Sequence, residues 1–357
     1  MTQERTLRST PAGIGTSIRG VWRSAVAWLA NRNVFVIMGA GFALGFYADR
    51  IGLEAIDWVF YLAGGLLPIV LGTVSTADDG FEYEISNGER ARFVLSMLRL
   101  SVTPWGLFAQ VVQVLGNFVP YVRYRGTLPS HERHVPDTEL AAPFDGEWTT
   151  VNGGVTKATS HSWGLVSQRY AYDFVRIEDG DTHEGDGTRL EDYHAFGEPI
   201  RAPADGTVVA TEDSLRDYPH PGTGWTEWKT WNIVGNYVVI KHGDGEYSLL
   251  AHLQEGSVTV EPGETVARGD VVGACGNSGN SSEPHLHFQL MDHHNFWIAA
   301  GLVPRFSDVT RSRPDDRRGG HEFYAPLSDD SERPYLWAGD RVRPTRTADR
   351  QTTPTDS

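Results

Sequence analysis

Beyond about residue 124 the sequence changes texture, and this change limits the possible folds more than any other feature. Short runs rich in Val, Ile, Tyr and Thr alternate with Gly, Pro, Asn and Asp. GTVVAT (206–211), NYVVIKH (236–242), EYSLLAHL (246–253) and HLHFQLM (285–291) read as β-strands. HGDGE (242–246) reads as the turn of a hairpin. SVTVEPGETVARGDVVGACGNSG (257–279) reads as further short strands broken by glycine turns. No segment of useful length here keeps a helical period, so any chemistry in this region sits on an antiparallel β scaffold. YPHPGTGWTEWKTW (218–231) is a long aromatic loop, whose Trp225, Trp228 and Trp231 either wall a groove or pack the loop onto the sheet.

The first 123 residues read differently. Arg5, Arg8, Arg19, Arg23 and Arg32 form a basic arm, followed by three uncharged stretches at 34–48, 58–77 and 100–122. A membrane-spanning helix needs about 20 apolar residues, so the expectation for 1–123 is an α-helical transmembrane region of two or three helices. The basic arm is expected to stay in the cytoplasm. Three crossings then place residues 124–357 outside the cytoplasm, whereas two keep them inside. Export is the expectation here. Residues 124–310 form the expected β domain. Residues 311–357 form a C-terminal extension rich in Arg, Asp, Pro and Thr, and its end reads as disordered.

Composition removes several function classes. The formal net charge is −15, which argues against nucleic acid as a partner, since a phosphate reader needs a basic face. Cys275 is the one cysteine, so neither an internal disulfide nor a thiolate zinc site is available. Thirteen histidines and 46 acidic residues leave ligation by His, Asp and Glu open.

Within the β region, SSEPHLHFQLMD (281–292) places His285 and His287 at i and i+2, on one side of a strand with Leu286 turned away. Two imidazoles on one face suit a metal site better than a core. In SHSWGLVSQRYAYDFV (160–175), Asp173 lies in an otherwise apolar and aromatic strand, where an unpartnered carboxylate is costly to bury. His252 ends the apolar strand EYSLLAHL. Zinc accounts for all of these residues, because it takes His nitrogen and Asp oxygen and leaves one position open for catalysis.

These motifs resemble the lysostaphin-type, LytM-like zinc metallopeptidases. The resemblance covers about 160–310 and is carried by GEPIRAPADGTVV, GNYVVIKHGDGEYSLLAHL, VEPGETVARGDVVGACGNSGNSSEPHLHFQL and GLVPRF. It implies a mainly β, antiparallel-sheet metallopeptidase domain of duplicated hybrid motifs, with Zn2+ in a groove. It further implies that Asp173 and His287 bind the metal and that His252 and His285 act on substrate and transition state. The implied reaction is endopeptidase cleavage, typically of peptide cross-links in peptidoglycan. The family's usual first ligand is a His four residues before the Asp. That position is Arg169, which stays protonated and cannot bind zinc. The third metal ligand is therefore expected to be His161, with His194 and His183 as fallback candidates.

The expected protein is a membrane-anchored zinc endopeptidase whose partners are an envelope peptide or peptidoglycan and, through its N-terminal region, the lipid bilayer. A competing reading is a non-catalytic binding or regulatory module of the cell envelope that lost its metal when the first ligand became arginine. A lipoyl- or biotinyl-type carrier is a weaker alternative. EPGETVARGDVVG resembles a carrier hairpin, but none of Lys157, Lys229 and Lys241 lies in a matching turn.

Overall fold

The computed structural model describes residues 87–157, 159–160, 162–243, 245–312 and 334–345, together with Leu44, Tyr47 and Arg50. Twelve strands follow two helices among the described residues. The helices are α1 (Asn87–Ser101) and α2 (Pro104–Arg123). The strands are β1 (Trp148–Asn152), β2 (Tyr172–Val175), β3 (Pro199–Arg201), β4 (Gly206–Glu212), β5 (Asn236–Gly243) and β6 (Glu246–Leu253). They continue with β7 (Thr265–Val266), β8 (Val271–Ala274), β9 (Leu286–Met291), β10 (Gly301–Leu302), β11 (Val309–Ser312) and β12 (Arg341–Pro344).

The main sheet runs β11-β12-β1-β2-β9-β6-β5-β4-β7, with β10 also paired to β9, and a second small sheet pairs β3 with β8. Every pairing is antiparallel. The expected runs at 206–211, 236–242, 246–253 and 285–291 are β4, β5, β6 and β9, and the turn at 242–246 joins β5 to β6. Part of the C-terminal extension returns as β12 to lie beside β1.

One face of the sheet carries the main core. Tyr172 and Phe174 of β2, Leu286, Phe288 and Leu290 of β9, and Leu250 of β6 project into it and meet Phe144, Trp148, Ile200 and Phe306. Phe144 stacks on Trp148 with ring centroids 4.9 Å apart. Full burial of such side chains contributes about 1.5–3 kcal/mol each. Period-two alternation sends the intervening residues, Asp173, His287 and Gln289, to the opposite face. A smaller cluster, including Leu249, Ala251, Met291 and Phe296, lies on that side.

Residues 100–122 were expected to cross a membrane. They form the end of α1, a short break and most of α2, which starts where Thr103 Oγ1 accepts the Gly106 amide at 2.9 Å and Pro104 occupies the first turn. No described helix is long and apolar enough to cross a membrane. Gln110, Gln113 and Asn117 lower the apolarity of α2, and a polar, small-residue stripe docks it on the β domain. Asn117 Oδ1 accepts the buried Val166 amide at 3.1 Å. Gly116 approaches the Trp297 carbonyl so closely that a Cβ would lie 2.0 Å from its oxygen. Arg123 pairs with Asp292 at 2.5 Å. The other two expected crossings, 34–48 and 58–77, lie outside the described residues.

Candidate active site

Asp173 and His287 are direct cross-strand partners in the β2–β9 register, and Ala251 of β6 faces His287 on the other side. That register places a carboxylate and an imidazole side by side: Asp173 Oδ1 lies 2.8 Å from His287 Nδ1. His285, two residues earlier on the same side, places Nε2 3.8 Å from the same oxygen.

His252 arrives by a less regular route. Strict alternation would send it to the core face with Leu250. Its φ of 61° is left-handed, and the β5–β6 register slips between Ala251 and Leu253. This bulge turns His252 toward the site and returns Leu253 to the core. The His252 ring centroid lies 4.7 Å from that of His285 and 5.8 Å from that of His287. Holding a non-glycine residue in this conformation costs on the order of 1–3 kcal/mol, and such strain concentrates at functional sites.

The hydrogen bonds fix which nitrogens are available. His252 Nδ1 lies 2.8 Å from the Ser278 carbonyl, and His285 Nδ1 lies 2.8 Å from the Glu283 carbonyl. A carbonyl only accepts, so both Nδ1 atoms carry hydrogen and both Nε2 atoms keep a lone pair when the rings are neutral. Burial, followed by the neighbouring His285 and His287, pushes the His252 pKa well below its ordinary value, so its ring is neutral near pH 7.

His287 is different. Its Nε2 lies 2.9 Å from Gln289 Oε1, and the Gln289 amide is oriented by donating to the Ser167 carbonyl at 3.2 Å. Nε2 must therefore donate, which in a neutral ring turns the Nδ1 lone pair onto the Asp173 carboxylate. Two lone-pair donors 2.8 Å apart need a shared proton, or a metal that holds them slightly further apart. For the proton, burial disfavours the charge, but the hydrogen bond to Asp173 and its charge outweigh burial and raise the His287 pKa. For the metal, one carboxylate and one imidazole are donors that zinc accepts. Among the described residues no three His, Cys, Asp or Glu side chains are already grouped as a ligand set. Asp173 and His287 supply two donors, and His161 lies outside the described residues.

The other expected or considered residues are placed as follows. His194 faces Glu178 at 3.9 Å and His183 packs on Tyr193, neither in contact with Asp173 or His287. His242 bridges the Asp205 carbonyl and Ser248 Oγ, a structural role. His293 and His294 stack on each other. Cys275 is buried. Trp228 packs beneath Arg99 of α1 at 3.8 Å, whereas Trp231 is half exposed. Gln289 and Asn152 were missed. Gln289 was readable by strand parity, as the second residue after His287. Asn152, whose Nδ2 donates to Asp173 Oδ2 at 3.1 Å, depends on the β1–β2 register and left no local signal.

Comparison with known proteins agrees with this fold. Residues 187–297 match the model of peptidase family M23. This chain carries an M23, LytM-like peptidase domain, mainly β and antiparallel. The match includes His252, His285 and His287 and begins after Asp173. Peptidoglycan DD-endopeptidase ShyA of Vibrio cholerae is 35% identical over 96 residues, covering 27% of this chain and 18% of that protein. Murein hydrolase activator NlpD of Salmonella typhimurium is 28% identical over 153 residues, covering 43% and 36%. Glycyl-glycine endopeptidase ALE-1 of Staphylococcus capitis is 31% identical over 113 residues, covering 31% and 25%. The chain thus spans less than two fifths of the length of each of these relatives. Among solved structures, lysostaphin from Staphylococcus simulans is 20% identical, covering 45% of this chain and 51% of that one, with a TM-score of 0.27, too low to weigh on the fold.

Proposed function

We propose that the chain is a zinc-dependent endopeptidase that cleaves peptide bonds in peptidoglycan or another envelope peptide. The observation that carries this reading is the Asp173–His287 pair, which needs a cation, set beside two imidazoles that keep Nε2 lone pairs toward it. Asp173 and His287 hold the metal, with His161 as third ligand. Zinc, when bound, supplies a Lewis acid that polarises the scissile carbonyl and acidifies water. His252, neutral and fixed by the Ser278 carbonyl, accepts the proton of the attacking water at Nε2. His285, held by Glu283 and Ser281, aims Nε2 at the same position and, as an imidazolium, donates from it to the developing oxyanion. Asn152 and Gln289 keep the carboxylate and the His287 ring in place.

The same reading anchors the enzyme to a membrane with its peptidase domain outside the cytoplasm. Its support is the uncharged runs at 34–48 and 58–77 and the outer face of α2. There Trp105, Phe108, Val111, Leu115, Phe118 and Val122 are each more than half exposed, at helical spacing with no charge between them. Such a stripe is larger than water-facing surfaces normally carry.

The test is metal content and peptide hydrolysis by the purified chain. One zinc per chain, lost in Asp173→Ala and His287→Ala together with hydrolysis of peptidoglycan peptides, is expected. Full zinc occupancy in both variants refutes the ligand assignment. A second reading, a non-catalytic envelope module, is favoured by Arg169, whose guanidinium packs on Trp163 at the position where the family places a ligand. A chain that binds no zinc and cleaves no envelope peptide decides for it.

A further inference from the structure

Next to the loop that leads into β2 lies a cleft of about 610 Å³, between the turn that follows α2 and the segments 155–157 and 163–170. Its size is that of a small-ligand site, and its charge runs against the rest of the protein. Arg133, Lys157 and Arg169 line it, with Glu132 as the one acidic side chain among the described lining residues. The chain as a whole carries −15.

Arg169 lines this cleft from the segment just before β2. Its guanidinium stacks on Trp163, 5.2 Å from the ring centroid, and Nε donates to the Trp163 carbonyl at 3.4 Å. The Tyr170 ring, whose hydroxyl donates to the Pro129 carbonyl at 3.1 Å, is buried alongside. These contacts restrain the guanidinium, which reduces the ordering needed to meet a planar oxyanion. Several other arginines are matched to acids. Arg123 has Asp292 at 2.5 Å, Arg176 has Glu198 at 2.5 Å, and Arg268 has Asp308 at 3.0 Å. Arg169 is only partly exposed, and no carboxylate pairs with it among the described residues.

The cleft also connects to the active site through the backbone. The turn Val166–Gln168, just before Arg169, supplies the Ser167 carbonyl that orients Gln289 and, through it, His287. Arg169 stands four residues before Asp173.

We propose that this cleft is a subsite for a free peptide carboxylate. Arg169 binds the carboxylate by paired N–H donors, and Lys157 and Arg133 supply the surrounding positive field. It rests on the peptidase reading for the statement that the carboxylate belongs to the substrate. Substrates with a free carboxylate near the scissile bond are then preferred over amidated ones. Because the overall charge repels anions, a preference of this sign requires a local cationic site.

The test is calorimetric titration of the full chain with acetyl-Ala-Ala as the free acid and as the amide, which reads binding without hydrolysis. The acid is expected to bind at least about tenfold tighter, the scale of a charge-assisted hydrogen bond at a part-exposed site. Arg169→Gln should erase the difference. Lys157→Gln should reduce it by roughly threefold, and the remaining preference should fall as salt is raised. Equal binding of acid and amide, or an undiminished preference in Arg169→Gln, overturns the proposal. Inorganic phosphate binding more tightly than the acid dipeptide overturns the carboxylate assignment. A chain that shows the acid preference yet cleaves no envelope peptide refutes the peptidase reading and leaves the subsite standing.

Discussion

Gln289 offers the sharpest check on how the site is held. Its side chain is 1% exposed and makes two hydrogen bonds, accepting from His287 Nε2 at 2.9 Å and donating to the Ser167 carbonyl at 3.2 Å. Gln289→Leu keeps the volume roughly constant and removes both. The imidazole N–H and the carbonyl are then left buried, each at a cost of about 1–3 kcal/mol, partly offset by the apolar burial of leucine. A net loss of about 2–4 kcal/mol corresponds to a fall in Tm of roughly 5–15 °C for a domain of this size. The second consequence is functional. Without an acceptor at Nε2 the His287 tautomer is no longer fixed, and its Nδ1 no longer faces Asp173 as a committed lone pair. Partners of this kind tune metal affinity by about 10–100-fold. The assays are thermal melts of the metal-free chain and zinc titration against a competing chelator. Gln289→Glu retains an acceptor for His287 and loses the donor to Ser167, so its zinc affinity should fall less than that of the leucine variant. If Gln289→Leu melts with the parent and binds zinc equally well, the chain of hydrogen bonds from Ser167 to Asp173 does not position the site.

Gly116→Ala would place a methyl group 2.0 Å from the Trp297 carbonyl oxygen, so α2 must retreat by about 1 Å. A loss of about 1–3 kcal/mol by denaturant titration is expected, and unchanged stability would show that α2 is not docked there. His252→Ala and His285→Ala should each retain zinc and lose roughly 10²–10⁴-fold in kcat; parental rates in both on a good substrate would remove them from proton transfer. The pKa of His242 is held below its ordinary value, chiefly by burial, with Asp205 and Glu246 opposing. Its neutral form therefore stabilises the fold above about pH 6.5, and that contribution is lost as pH falls through the lower folded-state value. Denaturation midpoints between pH 7.5 and 5.5 should decline less in His242→Gln, and an identical decline in both proteins would exclude His242 as a source of acid sensitivity.

What the sequence determined by itself is local. Strands β4, β5, β6 and β9 were legible because β-branched runs between turn residues carry their own conformational preference. The shared face of His285 and His287 was legible because parity within one strand needs no partner. The convergence of the site was decided by tertiary structure. Asp173 meets His287 because β2 and β9, 114 residues apart in the chain, pair in one register, and a slip of one residue would turn Asp173 into the core. His252 reaches the site through a bulge that exists only against β5 and that reverses the parity its own strand would give it. Residues 100–122 show the same division. Their composition reads as a membrane helix, yet Gly116, Asn117 and, directly after the stretch, Arg123 find a carbonyl, an amide and a carboxylate on the β domain. A hydropathy pattern counts apolar side chains along one chain, and it cannot register polar partners that only the fold brings within reach.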